Sequence, residues 1–243
     1  IKNFFFQIFN LLIKFIDHPN KNKILNFLKS KLRNKPLNII DIGAHRGETI
    51  NFFSNNFLIK KIYAFEPNID LFNVLKKKKK YQKKNISIYN SGVGQKDERK
   101  PLNIMNDSSS STFNTINENT KYFKKKKKIL FFFFQNKKFL KKKQFINIVS
   151  LSKIIQETKI NQIDILKIDT EGYEYYVIKG IENQHFKKIK YIYFEHHFDL
   201  MINKGYKFKD INNLLNKNNF FKKFKLKMRF RKSFEYIYEN SIQ

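Results

Sequence analysis

Leu37–Thr49 reads LNIIDIGAHRGET, and its interpretation decides how the rest of the chain is arranged. A run of β-formers ends at an acid, two glycines stand four residues apart, and a helix-like pattern follows. Asp41 closes a strand, Gly43 and Gly47 let the backbone turn sharply and approach a bound molecule, and Glu48 with Thr49 opens a helix. Doubly wound sheets build nucleotide-like pockets from such a unit. Downstream, KKIYAFEP ends a second short strand at Glu66, nineteen residues after Gly47. A carboxylate there can accept both hydroxyls of a ribose.

Working outward, helix-like stretches at Glu48–Asn56 and Ile69–Lys80 alternate with strands at Ile62–Glu66 and Ile86–Asn90. The alternation implies parallel pairing with right-handed crossovers, and so a site across the carboxyl ends of the strands. It breaks between Ser91 and Ile148. Gly92–Ile104 reads as a turn and short hairpin, followed by DSSSSTF at Asp107–Phe113 and a low-complexity Lys/Phe/Asn stretch. An insertion of that length is a lid or a mobile loop; a partly ordered lid over about 107–144 is expected, with no strand drawn through Lys121–Lys143. Regularity returns with a strand at Phe145–Val149 and a helix at Leu151–Glu157. Further strands are expected at Ile163–Ile168 and Tyr191–Glu195, and helices from Glu174 to Lys179 and from Asp210 to Lys217. Phe220–Arg229 and Phe234–Tyr238 read as a closing antiparallel pair.

Ahead of the sheet, Ile1–Ile16 places Phe5, Phe9, Leu12 and Ile16 on one helical face. It is shorter than the ~20 apolar residues of a membrane span. It reads as a helix packed on the domain, with an interfacial membrane anchor as the alternative. Lys23–Leu32 reads as a second helix ended before Pro36, giving an N-terminal helical extension over 1–36 and one catalytic domain over 37–243.

The 50 Lys and Arg against 20 Asp and Glu give a formal charge of +30, which alone suggests nucleic acid or an anionic membrane as partner. The lysines come in runs, Lys76–Lys80 and Lys124–Lys128, so most of this charge is read as solvated surface without a dedicated partner. A basic nucleic-acid binder stays as the alternative, although no RNA-binding motif is visible. No cysteine is present, which excludes disulfides, thiolate metal sites and the thiolate attack that cytosine-C5 methylation needs. The four prolines never adjoin, so an NPPY-type motif is absent.

Four blocks, DIGAHRGET, AFEPN at Ala64–Asn68, YNSGVG at Tyr89–Gly94 and DILKIDTEGYEYYVIKG at Asp164–Gly180, resemble the FkbM family of S-adenosylmethionine-dependent methyltransferases and follow its order. The resemblance implies a Rossmann-like class I methyltransferase fold, α/β, with a mostly parallel sheet and an antiparallel closing pair. It implies S-adenosylmethionine as cofactor and O-methylation of a hydroxyl on a small molecule, sugar or glycan, with an RNA methyltransferase as the alternative; a cytoplasmic location is expected, membrane-peripheral should Ile1–Ile16 act as an anchor. The cofactor set is then Asp41, Gly43, Ala44, His45, Gly47, Glu66, Pro67 and Gly92, with backbone contacts from Ala44 and His45 to the methionine part and the Asn90–Val93 segment framing the adenine. Many members carry an aspartate where Ser152 stands, and this serine is expected to cap the helix.

A hydroxyl acceptor must lose its proton during attack, which calls for a carboxylate or imidazole in reach. Asp169, Glu171 and Glu174 crowd the end of the fourth parallel strand, where mutual repulsion raises pKa values. Asp169, Glu171 and Glu195 are the catalytic candidates; the competing reading has Asp169 and Glu171 capping the next helix or pairing with Lys167 or Lys179. Glu174 is expected to be structural. His196 and His197 either orient the acceptor or make ordinary loop hydrogen bonds. A divalent cation among these groups is the minor alternative, and no metal site is expected. Nothing in the sequence speaks to oligomeric state.

Overall fold

The computed structural model describes residues 19–32, 34–105, 111–134, 140–228 and 232–242, except the side chains of 129–134 and 141. Its centre is β1 (Leu37–Ile42) and β8 (Ile163–Ile168), paired in parallel with Asp41 opposite Lys167. Both are nearly continuous runs of buried Ile and Leu, as expected of strands covered on two faces. Around them lie β2 (Ile59–Phe65), β3 (Ile86–Tyr89), β9 (Ile189–His197), β11 (Phe220–Lys227) and β12 (Ser233–Asn240). The seven-stranded order is β11-β12-β9-β8-β1-β2-β3, and β12 runs antiparallel to both neighbours. The expected mostly parallel α/β sheet with its closing pair is therefore present.

One face carries α1 (residues 19–31), α2 (Glu48–Asn56) and α3 (Ile69–Lys77). Ile24, Leu28 and Leu32 of the N-terminal extension are buried in the same cluster as Ile39, Ile62 and Phe53, so this helix is part of the core. The opposite face is covered by α5 (Leu151–Glu157), α6 (Glu174–Lys179) and α8 (Phe208–Lys217). The short α7 (Asn183–Phe186) leads into β9. Ile1–Ile16 falls outside the described residues, and among the described residues no helix is long and apolar enough to cross a membrane.

Four expectations need correction. The Gly92–Ile104 hairpin does not form: β4 (Gly92–Gly94) and β5 (Glu98–Met105) both pair with β7 (Leu140–Ser150), one parallel and one antiparallel. A distant strand wins because it buries Ile146 and Ile148 against Val93, Leu102 and Ile104. The second correction follows, since β7 reaches back to Leu140 and the low-complexity stretch forms α4 (Lys121–Phe134). With β6 (Thr115–Ile116) and β10 (Ile202–Asn203) this insertion has a small core of Met105, Phe123, Met201 and Ile202. Third, the helix expected to Lys80 ends at Lys77 and a 3-10 turn (Lys79–Tyr81) follows, which swings Tyr81 under Gly47. Finally, Ser150 and not Ser152 caps α5, accepting from Lys153 N at 3.3 Å. Ser152 is buried, and its hydroxyl accepts from Glu182 N at 2.7 Å and meets His185 Nδ1 at 2.8 Å.

Gly43 joins the two central strand tips. Its φ is +88°, and a Cβ there would overlap the Asp169 carbonyl oxygen. Gly43→Ala therefore combines left-handed strain with a backbone collision, and a loss of at least about 2 kcal/mol is expected. Urea unfolding of both proteins measures it.

Candidate functional site

The strand tips of β1, β2, β3, β8 and β9 converge at one edge of the sheet, and most of the acids singled out in the sequence meet there. At the β1 tip, Gly43 N and Ala44 N both donate to Phe65 O, at 2.9 and 3.0 Å, while His45 N donates to Glu66 Oε2 at 2.7 Å. Glu66 Oε1 accepts from Asn68 N at 2.9 Å, and Asn90 Nδ2 donates to the carbonyls of Glu66 and Pro67. The glycine-rich turn is thus fastened to the β2 tip by its own N–H groups. Burial raises the Glu66 pKa, opposed by the N–H groups of Asn68 and His45. A carboxylate offers about four acceptor sites, so two remain. Arg46 is exposed.

The glycines make close approaches within the protein. Gly43 packs on the Asp169 backbone, Gly47 on the Tyr81 ring and Gly92 on Phe113 and Ile148. Tyr81 reaches its place with help from the first lysine run, because Lys78 Nζ donates to Arg46 O at 2.7 Å and Lys80 Nζ to Asn51 Oδ1 at 2.8 Å.

Beneath the turn lies a buried charge cluster. Lys167 Nζ is 3.6 Å from Asp169 Oδ2, 3.9 Å from Glu235 Oε2 and 4.3 Å from the centre of the Tyr193 ring. Burial works against its charge, but Glu235, then Asp169, Glu195 and Asp41, outweigh burial and hold the ammonium above its ordinary range. Asp41 has no exposed surface and neither carboxylate oxygen has a hydrogen-bond partner. Burial pushes it up to about 7 against the pull of Lys167. Asp41 thus reaches a ligand only through its field. Asp169 keeps 35% of its side chain exposed, the most of any acid on Lys167, and enclosure by the protein raises its pKa against the same cation.

A second cluster sits at the tip of β9. His197 Nε2 lies 3.5 Å from both Glu171 Oε2 and Glu195 Oε1, and Nδ1 lies 3.5 Å from Asp199 Oδ2. Burial opposes protonation, yet Glu171, Asp199 and Glu195 prevail and raise His197 to about 10. It is an imidazolium holding carboxylates in place. Glu171 is pushed up to about 7 by burial, against His197. His196 faces the other way, packed on Phe198, Tyr206 and Phe208, and burial lowers it to about 4.

Glu174 is structural, as expected: Oε1 accepts from Thr170 Oγ1 at 3.0 Å and Gly172 N at 2.9 Å, and Oε2 from the Tyr206 hydroxyl at 2.5 Å. It shapes the turn in which Glu171 (φ +51°) and Gly172 (φ +97°) take left-handed conformations. The insertion clamps the same turn, Thr112 Oγ1 donating to Glu171 O at 2.8 Å and Asn114 Nδ2 to Gly172 O at 2.6 Å. Lys126 of α4 is near enough to pull the Glu171 pKa down.

Glu235 and Asp199 went unrecognised in the sequence, and Lys167 figured there only as a pairing partner. Asp199 stands two residues beyond His197 and could have been suspected from EHHFD. Glu235 has no local signal, because it reaches the site only through the antiparallel pairing Glu235↔Glu195.

A family model described as methyltransferase FkbM domain matches residues 41–222. No curated protein matches the chain. Among solved structures, the fold is similar to the methyltransferase FkbM from Methylobacillus flagellatus KT, with 14% identity and a TM-score of 0.51 over 84% of this chain and 44% of that one. The chain therefore spans less than half the length of that relative. It is also similar to magnesium protoporphyrin IX methyltransferase from Synechocystis PCC 6803 with bound SAH, at 9% identity and TM-score 0.50 over 94% and 85% of the two chains. The METTL16 MTase domain matches at 10% identity and TM-score 0.51, over 91% and 67%. At these identities the likeness is one of fold.

The two adjacent histidines are shifted to opposite sides of the ordinary imidazole value. At pH 8, nitrogen-15 NMR is expected to show His197 charged and His196 neutral. Because the folded value of His197 lies above its ordinary 6.5, its stabilisation is complete below pH 6.5 and is lost as the pH rises toward about 10. His197→Gln should flatten the fall in unfolding free energy across that window.

Proposed function

The chain belongs to the FkbM methyltransferase family, with S-adenosylmethionine as its cofactor, and from that premise we propose that it O-methylates a hydroxyl on a small molecule or glycan. The observation that carries this reading is the placement of Asp169. It is a partly exposed carboxylate at the tip of a central strand, anchored by a buried ammonium and backed by a second group of acids.

The residues at the β1 and β2 tips fit the cofactor. Glu66 has two acceptor sites left on a buried carboxylate, suited to a ribose diol, and the unpartnered Asp41 oxygens put negative potential under a cationic guest. Ala44, His45, Pro67 and Gly92 would enclose it as parts of the two turns and the β4 start. Bound S-adenosylmethionine supplies a methyl group on a sulfonium, which leaves as a neutral thioether once a nucleophile takes the methyl.

The chain's own groups then have separate tasks. Asp169 receives the proton of the attacking hydroxyl, with its raised pKa bringing it closer to the range of a working base. Lys167 fixes that carboxylate. Glu171 and Glu195, which the sequence offers as alternative bases, are held by the His197 imidazolium and set the negative field around the acceptor. His197 has carboxylates at both ring nitrogens, so its role is to position Glu171 and Glu195 and not to grip the acceptor. The insertion fastens the Glu171–Gly172 turn, which holds Glu171 in place for a reaction governed by alignment. The nucleic-acid alternative has less support, since lysines of the first run are tied to Arg46 O and Asn51.

Calorimetry with S-adenosylmethionine tests the cofactor half. Glu66→Ala should weaken binding at least tenfold, the loss of charge-assisted bonds worth about 1.5–3 kcal/mol; unchanged affinity would refute the ribose assignment. For the acceptor half, cell extract incubated with methyl-labelled cofactor should yield a labelled ether with the wild type. Asp169→Asn should lose at least about a hundredfold in labelling rate, within the usual worth of a general base.

A further inference from the structure

The loop that leaves β9 exposes two large apolar side chains. Leu200 is 75% exposed, the most of any large apolar residue among those described, and Phe198 is 44% exposed. Phe198 rests on the half-buried Phe208 and Phe234, with ring centres 5.8 and 5.4 Å away. Lysines border this patch. Lys225 Nζ stands 4.6 Å from the centre of the Phe234 ring, Phe198 N donates to Lys232 O at 2.6 Å, and Lys207 and Lys209 flank Phe208 at the start of α8. All four of these lysines are exposed. Two exposed acids stand at the margin. Asp210 Oδ2 accepts from Lys207 N at 2.7 Å, while Glu118 adjoins Asn117, whose N–H donates to Met201 O at 2.7 Å, and is followed by the exposed Lys121, Lys124 and Lys125.

Strand register puts the patch at the same end of the sheet as the candidate site. His196 pairs with Phe234 and Phe234 with Lys227, so the β9 tip, the β12 start and the β11 end lie side by side. Asn20 Nδ2 donates to Lys227 O at 3.1 Å, so α1 starts there too. The segment Ile1–Ile16, rich in Phe, Leu and Ile, therefore joins the described chain at this end.

Three occupants can be compared on such a surface. Nucleic acid would give the lysines phosphates but leaves the aliphatic Leu200 without a partner. A second copy of the chain, docked symmetrically, would set these lysines against their own counterparts. An anionic bilayer supplies both layers that the patch needs, phosphates for the ammonium groups and an apolar boundary just beneath for Leu200 and Phe198. The formal charge of +30 favours the same partner at longer range. We propose that this end of the sheet docks on an anionic lipid surface, with Leu200 and Phe198 entering the boundary below the headgroups and Lys207, Lys225 and Lys232 meeting lipid phosphates. His197 and Asp199 flank Phe198 in the chain, so a bilayer docked here lies beside the acid cluster. Attachment of this kind goes beyond methyl transfer and does not depend on it.

Vesicle flotation of the full chain tests it, with equimolar phosphatidylcholine and phosphatidylserine in one set of vesicles and phosphatidylcholine alone in the other. The chain should float with the mixed vesicles and stay behind with the neutral ones. Leu200→Ser should weaken binding about tenfold, the worth of withdrawing one leucine side chain from an apolar phase. Lys207→Gln and Lys232→Gln should each weaken it about fivefold, the worth of one basic residue at an anionic surface. Leu58, 63% exposed just ahead of β2 at the opposite end of the sheet, serves as the control, and Leu58→Ser should float like the wild type. These positions are exposed, so each variant should fold and bind S-adenosylhomocysteine with unchanged affinity. Absence of flotation, or equal flotation with both vesicles, would overturn the proposal. Full binding by Leu200→Ser and both lysine variants would do so too, assigning attachment to Ile1–Ile16 alone. Binding to polyuridylate that falls in the lysine variants, without flotation, would make the patch a nucleic-acid surface instead. Flotation needs no cofactor, so its failure and a failure to bind S-adenosylhomocysteine are separate results, and only the second counts against the methyltransferase reading.

Discussion

One buried ammonium sets the electrostatics of this molecule. Lys167 is fully enclosed in the central strand β8, and a charge so placed costs several kcal/mol in desolvation unless it is compensated. The compensation comes from Asp41 on β1, Asp169 at the β8 tip, Glu195 on β9 and Glu235 on β12. Four strands must be in register for those acids to surround one nitrogen. The β1–β8 pairing that sets Asp41 opposite Lys167 and the β12–β9 pairing that sets Glu235 opposite Glu195 are therefore also what assembles the site. Fold and chemistry share one constraint here.

The second cation, His197, repeats the arrangement at the neighbouring tip. Two carboxylates meet its Nε2 and a third its Nδ1, so the imidazolium fixes the turn after β9 relative to Glu171 in the turn after β8. The insertion adds a third fastening through Thr112 and Asn114. The left-handed conformations of Glu171 and Gly172 are held from both sides, by Glu174 below and by the insertion above. A carboxylate on a strained and doubly anchored turn has little freedom to move, which suits a reaction governed by alignment.

The strands and helices around the site were legible because their signals are local. Leu37–Ile42 and Ile163–Ile168 are continuous apolar runs, and Glu48–Asn56 follows a glycine turn, so bounds drawn from sequence match the observed ones. The insertion was illegible for the opposite reason. Its strands β4 and β5 each pair with β7, across separations of 35 to 56 residues, and a lysine-rich composition gives no period by which to anticipate that partner. The glycines are expected from sequence to approach a bound molecule, whereas the group packed on each in the structure is the protein itself, the Asp169 carbonyl at Gly43 and the Tyr81 ring at Gly47.

The sequence by itself determined the fold class, the family and which residue types stand at the strand tips, because order and spacing along a βαβ unit fix where the tips fall. The tertiary structure alone decided the partners of those residues. Glu235 and Lys21 come from opposite ends of the chain to line one cavity. His197 proved to be a cation and His196 a neutral ring, because strand alternation sends one toward carboxylates and the other toward Phe198 and Phe208. A side chain's charge depends on what surrounds it in space, and residues far apart in the chain supply most of those surroundings.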